Sequence, residues 1–404
     1  MKINDQLKMG NVTLSNRVVI QPMEGCDCEY DDGRPSDLTL KKYVNNAHSG
    51  ASIIWFEANA VSPEGRTNHR QMMITEKNVD AFRDMLKVVR ETAKKEFGYA
   101  PICIIQLTHS GRQSIVPMIA YRHPLYEKTR PVTDENIVTD EYLDTLPDLY
   151  LKAAKLAKEA GFDGVDVKSC HGYLFQEMLS AFSRPGRYGG SFENRTRLFI
   201  NSIKKVRENM PNDFIVASRI SITDMIQKPY GFGTTENNEI DLTEPKKLLA
   251  MLENIGIKLI NITLGNPYYN PHVNRPFKKG AYTPNETAET GLKRFHDVGL
   301  ELKKSFPNMT FVNSGLSYYR EDLIKRAEEL LNDNAADLVG FGRMSLAYPT
   351  FYADYLKGQF DPKKCCLACS NCTVLMRHKQ VAGCAIFNPY YRNLLREKVL
   401  CQKK

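Results

Sequence analysis

The chain has 404 residues, of which 42% are hydrophobic and 25% charged, values typical of a globular protein. This length is sufficient for one large barrel and a short extension. No stretch approaches the roughly 20 apolar residues of a membrane span, and the first residues lack the apolar core of a signal peptide, so we expect a cytoplasmic protein. The net charge is +8, carried by Lys and Arg over the whole length without a basic run, which indicates a diffuse bias towards anionic ligands and argues against nucleic acid.

Eight short runs rich in β-branched residues predict eight strands. In chain order they are residues 18–22, 52–58, 101–107, 163–168, 214–221, 258–263, 309–314 and 337–342. Amphipathic segments between them predict helices, among them residues 150–161, 198–210, 245–256 and 321–333. Eight alternating units favour a closed (β/α)8 TIM barrel. No strand is followed by the G-x-G-x-x-G pattern of an open dinucleotide-binding sheet.

Two connections, residues 108–149 and 264–290, are too long for simple links, and long loops after barrel strands usually build the active site. We expect both loops, with Tyr268 and Tyr269, to line a sizeable apolar pocket. From about residue 358 the pattern changes to a cysteine-rich coil and a short helical stretch at 388–400. The sequence therefore predicts a barrel over residues 1–357 and an extension over residues 358–404.

Ten cysteines are too few and too unevenly placed for a disulfide framework, and five of them fall between positions 365 and 384. Four fit the spacing C-x2-C-x2-C-x11-C, namely Cys366, Cys369, Cys372 and Cys384. This spacing is typical of a four-thiolate site for zinc or for an iron-sulfur cluster, and chemistry alone favours zinc in a small loop. Cys365 is an alternative first ligand. Cys103 and Cys170 are expected to pack or to line a pocket.

Six segments at the predicted strand ends resemble the old yellow enzyme family of FMN-dependent barrels. In the family's order they are SNRVVIQPM (15–23), EANAVSPEGR (57–66), IQLTHSGRQ (105–113), GFDGVDVKSCHGYL (161–174), RYGGSFENRTR (187–197) and DLVGFGRMSLAYP (337–349). The cysteine-bearing tail narrows the resemblance to the branch of trimethylamine dehydrogenase and 2,4-dienoyl-CoA reductase. In that branch the tail holds a 4Fe-4S cluster beside the flavin, so the resemblance implies iron-sulfur in place of zinc.

The resemblance also implies an FMN site at the strand ends. Around the isoalloxazine ring it would use Pro22, Met23, Ala58, Gln106 and Arg219; around the phosphate it would use Asn313, Ser314, Gly315, Gly342 and Arg343. Glu24 stands where relatives often place a small hydroxyl or thiol residue. It either turns away from the ring or pairs with a cation such as Lys168. A covalent bond between the flavin and the neighbouring Cys26 is a further alternative.

The stretch from Lys168 to Tyr173 is the predicted catalytic segment. By resemblance, Lys168 and His171 donate to the substrate carbonyl oxygen and Tyr173 gives a proton to the α-carbon. Lys168 departs from the family, in which many members have histidine, and an ammonium is a stronger and less directional donor than imidazole. A phenol with a reference pKa of about 10 stays protonated at neutral pH and suits this role.

These features predict an ene-reductase that acts on a steroid-like enone, an enoate or an enoyl thioester. The alternatives are an amine dehydrogenase or demethylase, an electron-transfer protein without a substrate, and a zinc-stapled barrel. Relatives with the cluster often continue into a nicotinamide-binding module, which does not follow here before Lys404. We therefore expect NAD(P)H, ferredoxin or a separate flavoprotein as the electron donor, and an anaerobic host. Chain length leaves a homo-oligomer open.

Overall fold

The protein is represented by a computed structural model, which describes residues 1–128 and 130–401. The strands are β1 (Leu7–Met9), β2 (Val12–Leu14), β3 (Val18–Ile20), β4 (Ile53–Ala60), β5 (Ile102–Thr108), β6 (Gly164–Val167), β7 (Ile215–Ser221), β8 (Leu259–Thr263), β9 (Thr310–Asn313) and β10 (Leu338–Phe341). Strands β3 to β10 form a closed parallel barrel in chain order, in which β10 pairs with β3. The predicted (β/α)8 TIM barrel is confirmed. The antiparallel hairpin β1–β2 was not predicted.

The α-helices of the described residues are α1 (Asp37–Ala47), α2 (Val79–Phe97), α3 (Pro124–Glu127), α4 (Asp140–Ala160), α5 (Leu174–Leu179), α6 (Phe192–Asn209), α7 (Thr243–Asn254), α8 (Pro271–Asn274), α9 (Ala288–Ser305), α10 (Leu323–Asn332), α11 (Arg343–Ala347), α12 (Phe351–Leu356), α13 (Asn371–Arg377) and α14 (Pro389–Leu395). Helix α4 begins ten residues before the predicted start at 150, because Thr139 caps it by accepting a hydrogen bond from the Tyr142 backbone N–H. The connection after β5 is therefore shorter than the sequence indicated. No helix among the described residues combines the length and the apolar character needed to cross a membrane.

Alternate residues of the barrel strands enter two separate apolar layers. Val19 and Trp55 belong to the cluster inside the barrel, and Val18 and Phe56 belong to the larger cluster between barrel and helices. Side chains on a strand point alternately to its two faces, so strands buried on both faces read as continuous apolar runs. Leu14 of the hairpin joins the inner cluster and fills that end of the barrel.

A bulge in β4 separates two functions of that strand. The pairing with β5 shifts between Phe56 and Ala58, which leaves Glu57 outside the regular register. The carboxylate of Glu57 accepts a hydrogen bond from the Gly25 backbone N–H at 2.6 Å and forms a buried ion pair with Lys42. Ala58 pairs with Gln106 and lies on the other face of the strand from Glu57.

The C-terminal extension lies against the same end of the barrel. It has a small apolar cluster of its own, formed by Leu375, Ala382, Ala385, Leu395 and Val399. The Ala382 N–H donates to the Gly25 carbonyl at 2.7 Å, and the Lys278 N–H donates to the Ala368 carbonyl at 3.0 Å. Backbone contacts from two barrel loops thus hold the cysteine-rich segment in place.

Candidate functional site

A large cavity opens where the barrel strands end, with about 1140 Å³ of empty space that includes its open mouth. The predicted residues that line it are Pro22, Met23, Glu24, Ala58, Gln106, Lys168, His171, Tyr173, Arg219, Ser314, Gly315, Gly342, Arg343 and Cys372. The fold therefore brings nearly all the predicted flavin and catalytic residues to one place.

A buried carboxylate fixes the polar floor of this cavity. Asp166 accepts hydrogen bonds from the Gln106 side chain at 2.6 Å, from the Trp55 indole at 2.9 Å and from the Arg219 backbone N–H at 2.7 Å. Burial raises the pKa of Asp166 to about 6. Because the Gln106 amide group donates to Asp166, its carbonyl oxygen is directed away from this partner. Asp166 was missed by the sequence reasoning, although its place inside the DGVDVK strand, next to apolar residues, was a usable signal.

Lys168, His171 and Tyr173 form one wall. The Lys168 ammonium lies 3.8 Å from the centre of the Tyr173 ring, a close cation–π contact. Burial lowers the pKa of Lys168 and, together with the nearby Arg219 and Lys168 charges, lowers the pKa of His171 well below its usual value. The buried Nε2 of His171 has no hydrogen-bond partner among the described residues. His171 adopts a φ of 67° in the turn that places it there, a conformation that costs energy for a side chain with a Cβ.

The Glu24 carboxylate has hydrogen-bond partners in the cavity. Its carboxylate accepts hydrogen bonds from the Tyr173 hydroxyl and the Asn68 side chain, each at 3.3 Å. Burial raises the pKa of Glu24, and the Lys168 charge opposes that rise. Tyr268 stacks on Tyr173 with ring centres 6.4 Å apart, and burial with the Glu24 charge raises the pKa of the Tyr173 phenol well above its usual value. The Glu24 carboxylate thus lies beside Tyr173 in the cavity and is influenced by the Lys168 charge, but it forms no direct ion pair with Lys168 among the described residues.

The opposite end of the cavity has the character of an anion site. Arg343 donates from Nη2 to the Pro276 carbonyl at 2.8 Å, while its buried Nη1 has no partner among the described residues. Gly315 has a φ of 101°, and a Cβ at Gly342 would come within 2.8 Å of the Met23 sulfur. The left-handed backbone at Gly315 therefore favours glycine, and the missing Cβ at both positions leaves the backbone accessible.

Asn313 was predicted to face the phosphate, but its side chain does not line the cavity. Its amide group donates to the Phe295 carbonyl at 2.8 Å and to the Ala335 carbonyl at 3.3 Å, and its oxygen accepts from the Ser314 N–H. A buried amide must satisfy these bonds, so it is turned into the barrel wall. Asn313 positions Ser314 and has no free polar atom for a ligand.

The two long loops contribute unequally. Of the described residues between 108 and 149, none lines the cavity, contrary to expectation, and Tyr269 is 41% exposed outside it. The loop of residues 264–290 does contribute, through Pro267, Tyr268, Asn274 and Arg275. Helix α3 of the first loop instead packs against the second loop, where the Asn266 side chain donates to the Tyr126 hydroxyl at 2.8 Å, and the hydrophobic pattern alone gave no sign of this.

The cavity wall is strongly cationic. Its basic side chains are Lys168, Arg219, Arg275, Arg343 and Arg377. Among the described lining residues, Glu24 is the one carboxylate. The buried Nε atoms of Arg219 and Arg275 have no hydrogen-bond partner among the described residues. Burial and the neighbouring Arg343 charge lower the pKa of Arg275 to about 10. Arg275 and Arg377 were not predicted, because arginines in a loop and in the extension look like ordinary surface residues in sequence.

The four predicted ligand cysteines are electrostatic neighbours. Burial raises the pKa of Cys366, and the nearby Cys372 and Cys369 raise it further. Burial, together with the nearby Cys366 and Cys372, raises the pKa of Cys384 to about 11. The Ala368 N–H donates to the Cys366 sulfur at 3.4 Å. No three His, Cys, Asp or Glu side chains in the described ranges are arranged to hold a single metal ion.

Four other cysteines, Cys26, Cys103, Cys170 and Cys365, are deeply buried. Cys365 is fully buried in the main apolar core, and burial raises its pKa to about 11. Cys26 does not line the cavity, and burial raises its pKa well above the usual value, so the thiolate needed for a bond to flavin is disfavoured. Cys103 and Cys170 are fully buried.

Sequence comparison places this architecture among known proteins. Residues 3–359 match the family described as NADH:flavin oxidoreductase / NADH oxidase. The NADPH dehydrogenase of Clostridium acetobutylicum is 30% identical over 371 residues, which are 87% of this chain and 93% of that protein. The NADH oxidase of Thermoanaerobacter brockii is 25% identical over 90% of this chain, but the match spans only 52% of that protein.

Solved structures share the fold. A 2-naphthoyl-CoA reductase in complex with 2-naphthoyl-CoA superimposes with a TM-score of 0.78 at 19% identity, over 97% of this chain and 57% of that one. An old yellow enzyme homologue from Zymomonas mobilis superimposes with a TM-score of 0.67 at 21% identity, over 89% and 93% of the two chains. The first match extends over most of the cysteine-rich segment as well as the barrel.

Proposed function

The chain belongs to the NADH:flavin oxidoreductase / NADH oxidase family, and we propose that this flavin-dependent NADH/NADPH oxidoreductase is an FMN- and 4Fe-4S-dependent ene-reductase. Its substrate would be an α,β-unsaturated carbonyl compound, whose C=C bond is reduced. The observation that carries the proposal is the shared cavity, in which Lys168, His171 and Tyr173 face the residues suited to FMN. The proposal includes the roles of the individual flavin-site and catalytic residues.

The residues at the two ends of the cavity fit FMN. Gln106, held by Asp166, offers an amide to the pyrimidine edge, and Arg219 has an unpaired N–H to offer there. Ser314, Gly315, Gly342 and Arg343 would hold the phosphate through backbone N–H groups and the free Nη1 of the arginine. When bound, FMN supplies the hydride for the substrate β-carbon.

The chain's own residues would then handle charge and protons. Lys168 and neutral His171 donate hydrogen bonds to the carbonyl oxygen, on which negative charge accumulates during reduction. The Tyr173 hydroxyl gives its proton to the α-carbon. Glu24, which accepts a hydrogen bond from that hydroxyl, orients it and keeps its pKa high, so the phenol remains protonated until the carbon acceptor forms.

The charge of the cavity favours an anionic substrate. FMN phosphate would neutralise part of the positive charge at the Arg343 end, and Arg275 and Arg377 would remain for a second anionic group. Among the predicted classes, an enoate carboxylate or a phosphate-bearing enoyl thioester suits this better than a neutral steroid-like enone. A cationic amine is disfavoured because Lys168 stands in the reaction zone. Amine dehydrogenation thus remains only an alternative.

The iron-sulfur cluster and the division of the chain at residues 357 and 358 belong to the proposal. The mutual influence of the four thiols supports Cys366 as the first ligand in preference to Cys365. Cys372, Thr373 and Ala382 line the flavin cavity, which supports a cluster close enough to exchange electrons with FMN. The family match ends at residue 359, near the proposed boundary. We also propose an anaerobic host, because the proposed cluster is sensitive to oxygen, and a cytoplasmic location.

Anaerobic purification tests the cofactors first. We expect a flavin absorbance spectrum together with about four iron and four sulfide per chain. Zinc without flavin absorbance would contradict the proposal. Reduced protein is then mixed with an enone, an enoate, an enoyl thioester and a tertiary amine. Reoxidation of the flavin by the enoate or thioester is the expected result, whereas flavin reduction by the amine would support the dehydrogenase alternative. Flavin and cluster without any reoxidation would favour a pure electron-transfer protein.

A further inference from the structure

The positive charge of this protein is concentrated in one segment. Residues 358–404 contain nine Lys and Arg and two Asp and Glu, whereas the rest of the chain contains 46 and 45. The extension therefore carries seven of the eight net charges. This corrects the expectation of a charge spread evenly over the length. A segment of this size with so little compensating acid needs an explanation, because like charges repel each other.

These cations are exposed and unneutralised. The seven Lys and Arg between Lys363 and Lys398 are all exposed. None of them forms an ion pair within the described ranges, where exposed barrel cations such as Lys152 and Arg187 do so. Arg377 and Arg392 hydrogen bond to backbone carbonyls, which leaves their charges unbalanced. These exposed charges therefore create a positive electrostatic potential in the surrounding solvent.

The barrel adds to this patch at the cysteine loop. The backbone N–H groups of Lys278 and Lys279 both donate to the Ala368 carbonyl, between Cys366 and Cys369 in sequence, and both lysines are exposed. Three of the four proposed ligands, Cys369, Cys372 and Cys384, are themselves partly exposed. A cluster held by these thiols would lie close to the surface and inside the region of positive charge.

Exposed aromatic side chains lie beside the same thiols. Phe387 is 38% exposed and Tyr390 48% exposed, just after Cys384 in the chain. Tyr390, Tyr391 and Lys41 line a surface recess together with Cys384. Aromatic residues surrounded by positive charge are common where proteins bind one another. Electron-transfer encounters bury little area and depend on charge for their rate.

Resting on the proposed function, we propose that this basic surface, defined by the exposed Lys and Arg of residues 358–398 with Lys278 and Lys279, is the docking site for a small acidic one-electron carrier protein. The carrier would be of the ferredoxin or flavodoxin class. Two reduced carriers each give one electron, and two protons come from solvent, so that one C=C bond becomes one CH–CH bond and two carriers are oxidised. Charge complementarity selects this partner, and the exposed thiols give its electron a short path.

Binding tests the surface without relying on turnover. The holoenzyme is titrated calorimetrically with a purified, oxidised, strongly acidic bacterial ferredoxin, and a basic cytochrome of similar size serves as the negative control. We expect ferredoxin binding that weakens at least about tenfold between low salt and about 0.5 M salt, as screening predicts. The test variant is Lys279→Glu, Lys363→Glu and Lys379→Glu, whose side chains make no ion pair or hydrogen bond among the described residues.

The matched control variant reverses three exposed lysines on the barrel helices, Lys87→Glu, Lys155→Glu and Lys158→Glu, so that both variants have the same net charge. We expect the test variant to lose at least about tenfold in affinity and in the rate of FMN reduction by ferredoxin, and the control variant to lose less than about twofold. Reduction by dithionite and iron content should be unchanged in both. Equal weakening in the two variants, salt-independent binding, or binding only to DNA or to anionic lipid vesicles would overturn the proposal.

Failure of the proposed function has a different signature. A protein without iron and sulfide refutes the cluster, whatever the calorimetry gives. A protein with both cofactors that reduces its substrate with dithionite but does not bind the carrier refutes only the docking surface.

Discussion

Replacement of Tyr173 by phenylalanine removes only the hydroxyl that the proposed mechanism uses as proton donor. The Tyr173 ring is 3% exposed, stacks on Tyr268 and lies under the Lys168 ammonium at 3.8 Å, and none of these contacts needs the hydroxyl. The hydrogen bond to Glu24 is long at 3.3 Å, so its loss should cost about 1 kcal/mol of unfolding free energy. The variant should therefore fold and bind FMN normally.

The kinetic cost should be much larger and confined to one half-reaction. A positioned acid contributes about 100- to 10,000-fold to a proton transfer, or roughly 3 to 5 kcal/mol of barrier. We expect the reduced Tyr173→Phe enzyme to reduce an enoate or enoyl thioester at least about 100-fold more slowly. Reduction of its flavin by NAD(P)H or dithionite does not use this proton and should stay within about threefold of the unmodified enzyme.

Anaerobic stopped-flow absorbance measures the two half-reactions separately. Tyr268→Phe is the matched control, because it removes the same atom from the same cavity, where the Tyr268 hydroxyl hydrogen bonds to that of Tyr173 but gives no proton to the substrate in the proposed mechanism. It should slow substrate reduction less than about tenfold. Equal slowing of both half-reactions by Tyr173→Phe would refute the role of the phenol as proton donor, and so would equal effects of the two tyrosine variants.

Three further predictions concern other parts of the site. Asp166→Asn should weaken FMN binding about tenfold in fluorescence titrations, because an asparagine nitrogen would meet the Gln106 donor and cost about 1 to 3 kcal/mol; unchanged FMN affinity would contradict the anchoring role. The rate of substrate reduction should fall as pH rises through the pKa of Lys168, which burial sets below that of an ordinary lysine, since only the ammonium donates to the carbonyl oxygen. Lys168→Arg should remove that fall, because arginine stays charged where lysine loses its proton, and a persistent fall would assign the titration to another group. Cys366→Ser should lose most of the iron measured after anaerobic purification, whereas the adjacent Cys365→Ser should keep it; the reverse result would make Cys365 the ligand.

The barrel could be predicted because its strands are buried on both faces. Runs such as the one around Trp55 are continuous in sequence because the inner and outer apolar layers use alternate residues of the same strand. The hairpin β1–β2 escaped prediction because each strand has three residues with mixed burial, too short for a periodic signal. The early start of α4 depends on the Thr139 cap, a single side chain outside the apolar pattern.

The site could be predicted at strand ends and not in the loops. The family resemblance assigns Gln106 and Arg219 to the site, and both belong to barrel strands, all of which deliver their C-terminal ends to one face. Arg275 depends on the path of a long loop, and Arg377 depends on how the extension docks through the Ala382 N–H. Such packing is tertiary information, which neither spacing nor hydrophobic period contains.

The two departures from the resembling family, Lys168 and Glu24, meet at the same tyrosine. Lys168 contacts the face of the Tyr173 ring and Glu24 accepts from its hydroxyl, while the opposite charges of the two residues moderate each other's pKa. A buried lysine alone would tend to lose its proton, and a lone carboxylate beside a flavin would oppose its reduction. Each residue supplies the compensation that the other requires. In the proposed mechanism, the Glu24 charge therefore helps Lys168 to keep its proton, without a direct ion pair between the two groups among the described residues.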